Sequence, residues 1–283
     1  MPERRPAPFP AEWGLSDPQL LARTVTGRVT RVRLPGGEPA VVKQLTRIGM
    51  KEELNGVHFL DFCDGNGCIR LLARKNGDLL LEYAGDRSLL DHLNEHGDDE
   101  ASAIFCDVFL QLHQTASDRC PSDELPPLRQ QFDSLFKRAD RDRKQGLATP
   151  FTDAAALADR LLAETRVPRP LHGDLHHENI LHGPRGWLAI DPKGLIGDSA
   201  YDVANMFYNP LERDDLRSSA VRNGRIAQMF AERLGRDAKD LLRFGIAHAC
   251  LSASWHAEDG NGQEEARSLG VARSLRDALA SHL

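Results

Sequence analysis

Leu171-His172-Gly173-Asp174-Leu175-His176-His177-Glu178-Asn179-Ile180-Leu181 is the densest polar stretch of the chain, and Asp191 follows it closely. Four of the eleven histidines fall between 172 and 182. Ionisable groups crowded into a loop between apolar strands are the usual display of reactive side chains on a rigid scaffold. Phosphoryl transfer needs a carboxylate that orients and deprotonates an attacking hydroxyl, and oxygen ligands for Mg²⁺. His172-Gly173-Asp174 followed by Asn179 keeps the Asp-to-Asn spacing of the H-R-D-L-x-x-x-N loop that serves this chemistry. Asp174 then reads as the catalytic base, Asn179 as one metal ligand and Asp191 as the second. A rival reading makes His172, Asp174, His176 and His177 ligands of a metal-dependent hydrolase, since imidazoles suit zinc or manganese. Adjacent His176 and His177 lack the H-E-x-x-H spacing, and that rival leaves Asp191 idle.

Working outward, the first third reads as strands with one helix. Thr24 to Leu34 is rich in β-branched residues, Pro35-Gly36-Gly37 marks a turn, and Ala40 to Leu45 forms the partner strand. Residues 50–62 carry a helical apolar period, and two short strands at 68–73 and 79–83 flank an Asn76-Gly77 turn. Phosphoryl transfer also demands a strand lysine paired with a helix glutamate. Lys43 ends Ala40-Val41-Val42-Lys43, the equivalent of V-A-I-K, and Glu53 lies in the following helical segment, with Glu52 as fallback. After Ala84-Gly85-Asp86 the pattern turns helical, at 88–93, 101–113, 128–144, 152–165, 214–234, 238–256 and 263–282, broken by proline-rich 121–127 and by short strands over 171–191. The expected fold is α+β and bilobal, protein-kinase-like. A small antiparallel sheet with one key helix spans 1–83, a larger mostly helical lobe spans 84–283, and the hinge lies at about 82–86.

The chain has 283 residues and a formal net charge of −6, which disfavours a phosphate-backbone partner. The balance is +2 over residues 1–83 and −8 over 84–283, which favours a cationic small-molecule partner for the larger lobe. Hydrophobic residues make up 41%, enough for a core. The segment Met1 to Pro6 has no apolar run behind it, no stretch is long enough to span a bilayer, and the five cysteines show no C-x-x-C spacing. A cytoplasmic monomer with no membrane or nucleic-acid partner is expected.

The run 171–181, Gly186-Trp187-Leu188-Ala189-Ile190-Asp191-Pro192-Lys193-Gly194-Leu195-Ile196-Gly197 and Ala204-Asn205-Met206-Phe207-Tyr208-Asn209-Pro210 resemble the aminoglycoside phosphotransferases. They resemble most the branch of streptomycin 6-phosphotransferases and hydroxyurea phosphotransferases. The likeness extends to Leu79–Gly85 and Cys250–Trp255. It implies a bilobal kinase that uses MgATP or MgGTP to phosphorylate a hydroxyl, here the 6-hydroxyl of streptomycin, and so confers resistance. Lys43 and Glu53 would position phosphates, and backbone groups of Glu82, Tyr83 and Ala84 would meet the adenine. Two departures stand out. Only Gly27 is present where protein kinases have G-x-G-x-x-G, and Asp191 is followed by Pro192-Lys193 instead of Phe-Gly.

Streptomycin carries guanidinium groups, which call for carboxylates or aromatic faces. Asp202, Asn205, Trp255, Glu258 and Asp259 are the candidate acceptor residues, with Tyr208 a weaker one and Asp202 equally suited to bracing the catalytic loop. The alternatives are a kinase of the same fold acting on another small hydroxyl compound such as hydroxyurea, or a silent nucleotide-binding protein.

Overall fold

The computed structural model describes residues 9–114 and 123–281. Part of the expected proline-rich break (121–122), Cys120, the N-terminal six residues and the last residue of the expected final helix lie outside them.

Main-chain pairing builds the first layer, with alternating burial at Thr30 and Val32 and at Ala40 and Val42. Strands β1 (Ser16–Arg23), β2 (Gly27–Arg33), β3 (Pro39–Leu45), β4 (Leu71–Lys75) and β5 (Asp78–Glu82) form an antiparallel sheet in the order β1-β2-β3-β5-β4. Val32, Ala40, Val42 and Leu80 bury one face under Trp13 and Leu15. β1 is a strand that the sequence does not announce. All eight residues are exposed, and it contains Pro18, so only its main-chain pairing with β2 makes it a strand. The β-branched run from Thr24 therefore does not start a strand. Thr24–Gly27 turn tightly between β1 and β2, with Thr24 and Gly27 bonded main chain to main chain at 2.8 Å.

The helical period after β3 resolves into two pieces, α1 (Gly49–Glu52) and α2 (Leu54–Cys63), with Glu53 at the joint. α2 buries Val57, Phe59, Leu60 and Cys63 into the main core. Cys63, Cys68, Cys106 and Cys250 are free and buried. Past residues 83–86 comes the short strand β6 (Arg87–Ser88), then α3 (Leu89–His96), opened by a Ser88/Asp91 capping box, and α4 (Asp98–His113). Helices α5 (Leu128–Gln131), α6 (Asp133–Lys144) and α7 (Pro150–Glu164) follow.

Between α7 and the last helices run β7 (Arg169–Leu171), β8 (Ile180–Gly183), β9 (Gly186–Ala189) and β10 (Leu195–Gly197), in two small sheets ordered β10-β7 and β6-β8-β9. The remainder is α8 (Ala200–Tyr208), α9 (Asp214–Arg217), α10 (Ala220–Leu234), α11 (Ala238–Glu258) and α12 (Gly262–Ser281). The expected helix over 214–234 is broken because Ser219 caps a new start, accepting from the Arg222 N–H. α8 is buried along its whole length, and its Ala200, Val203 and Phe207 join the main core with α11 residues such as Leu241 and Leu251. The architecture is an antiparallel-sheet N-lobe on a mostly helical C-lobe. One continuous core runs from α2 and β5 into the helices, so the residues at the junction rest on rigid packing.

Candidate active site

Pairing of β3 with β2 and β5 sets Lys43 opposite Val29 and Leu79, and the side chain turns inward with only 8% of the residue exposed. A buried ammonium needs partners. It has two: its Nζ pairs with the Glu53 carboxylate and lies 2.5 Å from Asp191 Oδ1. Burial opposes the charge, but Asp191 and Glu53 outweigh it and hold the ammonium above its ordinary value. Glu53 reaches Lys43 from the joint between α1 and α2, not from a helix interior; Glu52 is exposed. Asp191 takes a left-handed backbone, φ +58°, directly after β9 and Ile190.

The loop after β7 is held by main-chain contacts. Asp202 at the start of α8 accepts from the His172 N–H (3.0 Å) and the Gly173 N–H (2.7 Å), and from His113 at 3.1 Å. His172 is buried and spans the loop: its Nε2 donates to the Ile190 carbonyl at 2.9 Å, and its Nδ1 accepts from the Asp174 N–H at 3.2 Å. Burial keeps this imidazole neutral by pushing its pKa down. Asn179 donates its amide N–H to the Asp174 carbonyl at 2.9 Å, which leaves the Asn179 amide oxygen for another partner. The Asp174 carboxylate accepts from Asn205 Nδ2 at 2.8 Å, and Lys193 Nζ stands 3.8 Å from its other oxygen. Burial raises its pKa, but the Lys193 cation above all, with nearby imidazoles and the Asn205 amide, holds it below the usual value. Asp174 is thus an ionised, oriented acceptor at neutral pH.

Two clefts meet at this centre. The first lies between the sheet and the β8–β9 ribbon, with Val29, Val41, Ile69, Leu81, Leu181 and Ile190 as apolar walls and Lys43 and Asp191 at its inner end. Tyr83, Ala84 and Gly85 form its rim; Tyr83 is half-buried with the Arg31 guanidinium 5.7 Å from its ring centre. Glu82 also lines it, but its carboxylate grips Arg185 through two 2.6 Å bonds and its N–H is spent on the Arg70 carbonyl. The Glu82 side chain therefore ties the β5 end to the β8–β9 turn, and its N–H is already committed. The second cleft opens on the far side of Asp174, between the catalytic loop, α8 and α11. Asn205, Tyr208, His248, Trp255 and His256 line it, along with His176, Glu178 and Lys193.

Main chain, not side chain, closes the gap between α2 and the segment after Asp191. A Cβ on Gly56 would lie 2.1 Å from the Pro192 carbonyl oxygen, and one on Gly194 would lie 2.1 Å from the Asn55 oxygen. Gly56→Ala must push α2 off this segment. Expected is a stability loss of about 1–3 kcal/mol, read from the denaturant midpoint; an unchanged midpoint would show that the two backbones can slide apart.

A family model described as aminoglycoside/hydroxyurea antibiotic resistance kinase matches residues 12–260. The chain belongs to this family. The kinase is 40% identical over 251 residues to a streptomycin 3''-kinase of Klebsiella pneumoniae, covering 87% of this chain and 90% of that protein. It is 30% identical to a streptomycin 6-kinase of Streptomyces griseus, covering 75% and 69% respectively. Among solved structures, a thermostable mutant of the aminoglycoside phosphotransferase APH(4)-Ia superposes with a TM-score of 0.58 at 14% identity, over 95% of each chain.

The kinase brings Lys43, Glu53, Asp174, Asn179 and Asp191 to one centre from β3, the α1–α2 joint, the loop after β7 and the residue that follows Ile190. Of the acceptor candidates, Asn205, Trp255 and the weaker candidate Tyr208 face the second cleft. Three do not, and the expectation is corrected for each. Asp202 is 1% exposed and both carboxylate oxygens are committed to the catalytic loop and His113. Glu258 turns toward α6, accepting from Ser134 at 2.8 Å. Asp259 is exposed at the residue capping the end of α11 and is not part of the cleft wall. Glu178, His248, Ser252 and His256 were not singled out as acceptor residues, yet they line it. Positions 248, 252, 255 and 256 form one stripe of α11, so continuing the helical period back from Trp255 would have found them. The four-residue hydrolase set does not converge either: the His172 nitrogens are both used, and His177 is fully buried against other elements. Among the described residues no group of three or more His, Cys, Asp and Glu side chains could hold a metal ion. No helix among them is long and apolar enough to cross a membrane.

Proposed function

We propose that this kinase transfers the γ-phosphoryl group of MgATP or MgGTP to a hydroxyl of streptomycin, the 6-hydroxyl by our reading, and thereby confers resistance. The observation that carries the proposal is the position of Asp174, an ionised carboxylate fixed by Asn205 between the Lys43 cleft and a cleft walled by Trp255 and Tyr208. In this reading residues 1–83 hold nucleotide and residues 84–283 hold acceptor and catalytic loop. Asp174 orients the acceptor hydroxyl and takes its proton as the oxygen bonds to phosphorus and the bond to the β–γ bridging oxygen breaks, releasing ADP or GDP. The Asn179 amide oxygen and the Asp191 carboxylate are hard donors that suit Mg²⁺, which would neutralise phosphate charge when bound. Lys43, steadied by Glu53, would hold the phosphates, and the N–H groups of Val25 and Thr26, between the bonded ends of the Thr24–Gly27 turn, would cover them.

The acceptor's charge finds support in local chemistry more than in the −8 balance of the larger lobe. Many of its acids are spent on internal pairs, such as Asp98 with Arg222 and Arg225. Asp174 and Glu178 are the carboxylates of the cleft wall among the described residues. A second reading moves the transfer to the 3''-hydroxyl, and the 40% identity to a 3''-kinase favours it. Incubating the protein with streptomycin, Mg²⁺ and either nucleotide, then locating the phosphate by ³¹P–¹H NMR, decides between the positions. Turnover of hydroxyurea but not streptomycin would replace the acceptor and keep the kinase.

Lys43→Met should lower kcat/KM for nucleotide by about 10²-fold, because it removes a preorganised cation from charge that builds on the phosphates. Steady-state kinetics against nucleotide concentration checks it; turnover within threefold of wild type would take Lys43 out of the phosphate-holding role.

A further inference from the structure

Lys193 is the only lysine or arginine among the described residues of the second cleft. Its main chain is pinned, with its N–H donating to the His172 carbonyl at 2.8 Å. Its side chain is not: it is 42% exposed and reaches out along the cleft. The ammonium stands 3.8 Å from Asp174 Oδ2 and 5.4 Å from the centre of the Trp255 ring, a cation over an aromatic face. His248 packs edge-on against the same ring, and burial holds it neutral with a pKa down at about 3, so it adds no competing charge. A carboxylate and an aromatic face, about one ammonium apart, are what a cationic acceptor needs if its hydroxyl is to sit on Asp174. The chain's own lysine already occupies that place.

We propose that Lys193 is a resident cation on the acceptor's platform, bridging Asp174 and Trp255 until an acceptor guanidinium displaces it. The inference rests on the reading of streptomycin as acceptor. Lys193 then sets specificity by competition: a weakly bound monocation cannot evict it, whereas a ligand with several cationic groups can. Removing the ammonium should therefore strengthen acceptor binding, the opposite of what loss of a structural or substrate-holding side chain would do.

Calorimetric titration of streptomycin into nucleotide-free protein tests this. Lys193→Met should bind about three- to ten-fold tighter than wild type, whereas Lys193→Arg, which keeps the cation, should not. Trp255→Leu should weaken binding, and in that background Lys193→Met should recover little of its gain because the shared face is gone. Wild-type binding that is unchanged or weakened in Lys193→Met overturns the inference and leaves the streptomycin reading intact. A gain that persists in full without Trp255 also overturns it, since bulk repulsion would then suffice. No streptomycin binding by either protein overturns the acceptor reading, and with it the inference.

Discussion

Asp174→Ala should lose roughly 10²–10⁴ in kcat while nucleotide still binds, the usual worth of a positioned base. The carboxylate is oriented by Asn205 and charge-stabilised by Lys193. Asp174→Asn separates the terms, because it keeps the shape and the Asn205 contact but cannot take a proton. Both variants should fall together in kcat, with the nucleotide Kd little changed by titration. Because Asp174 is held below the usual carboxylate range, it stays ionised throughout the neutral region. The wild-type rate should therefore show no loss from this group until the pH falls below that range. Near-normal turnover in Asp174→Ala would remove it from the base role.

The second large effect is on the fold. Asp202→Ala deletes the acceptor for the buried His172 and Gly173 N–H groups and for His113. Leaving buried donors unpaired costs about 1–3 kcal/mol each, and relaxation recovers only part of it. A loss of about 3 kcal/mol is expected, or roughly 5 °C in Tm for a chain of this size. Asp202→Asn should fare little better, because its NH₂ would confront one of the two backbone donors. Denaturant midpoints at unchanged slope give the loss, and kcat should fall as well, since the same contacts hold the loop that carries Asp174. A stable, inactive variant would mean that the loop is braced from elsewhere.

The candidate centre is legible because phosphoryl-transfer chemistry dictates residue types at short spacings. Asp174 and Asn179 lie five apart, and Asp191 ends a ribbon that any reader of the strands would place beside them. Lys43 was readable from its strand and Glu53 from order alone, though the helix joint that presents Glu53 was not. The acceptor side was much less legible. Nearness in sequence to Trp255 points to Glu258 and Asp259, but the Glu258 carboxylate is drawn to Ser134 of α6, a partner remote in sequence, and the helix ends at Asp259. Asp202 had two plausible jobs, and only the three-dimensional approach of the His172 and Gly173 amides selects bracing. β1 left no trace because none of its side chains is buried; its reason to exist is backbone pairing, which residue identity barely encodes.

In protein kinases the phenylalanine after the metal-binding aspartate packs in a way that sets active and inactive states. Here Pro192 takes that place, and its carbonyl abuts Gly56 with no room for a methyl group between them. An inhibitor built to exploit a displaced phenylalanine finds no phenylalanine here to displace. Compounds meant to block this enzyme while sparing protein kinases should instead gain their selectivity at the Trp255 platform.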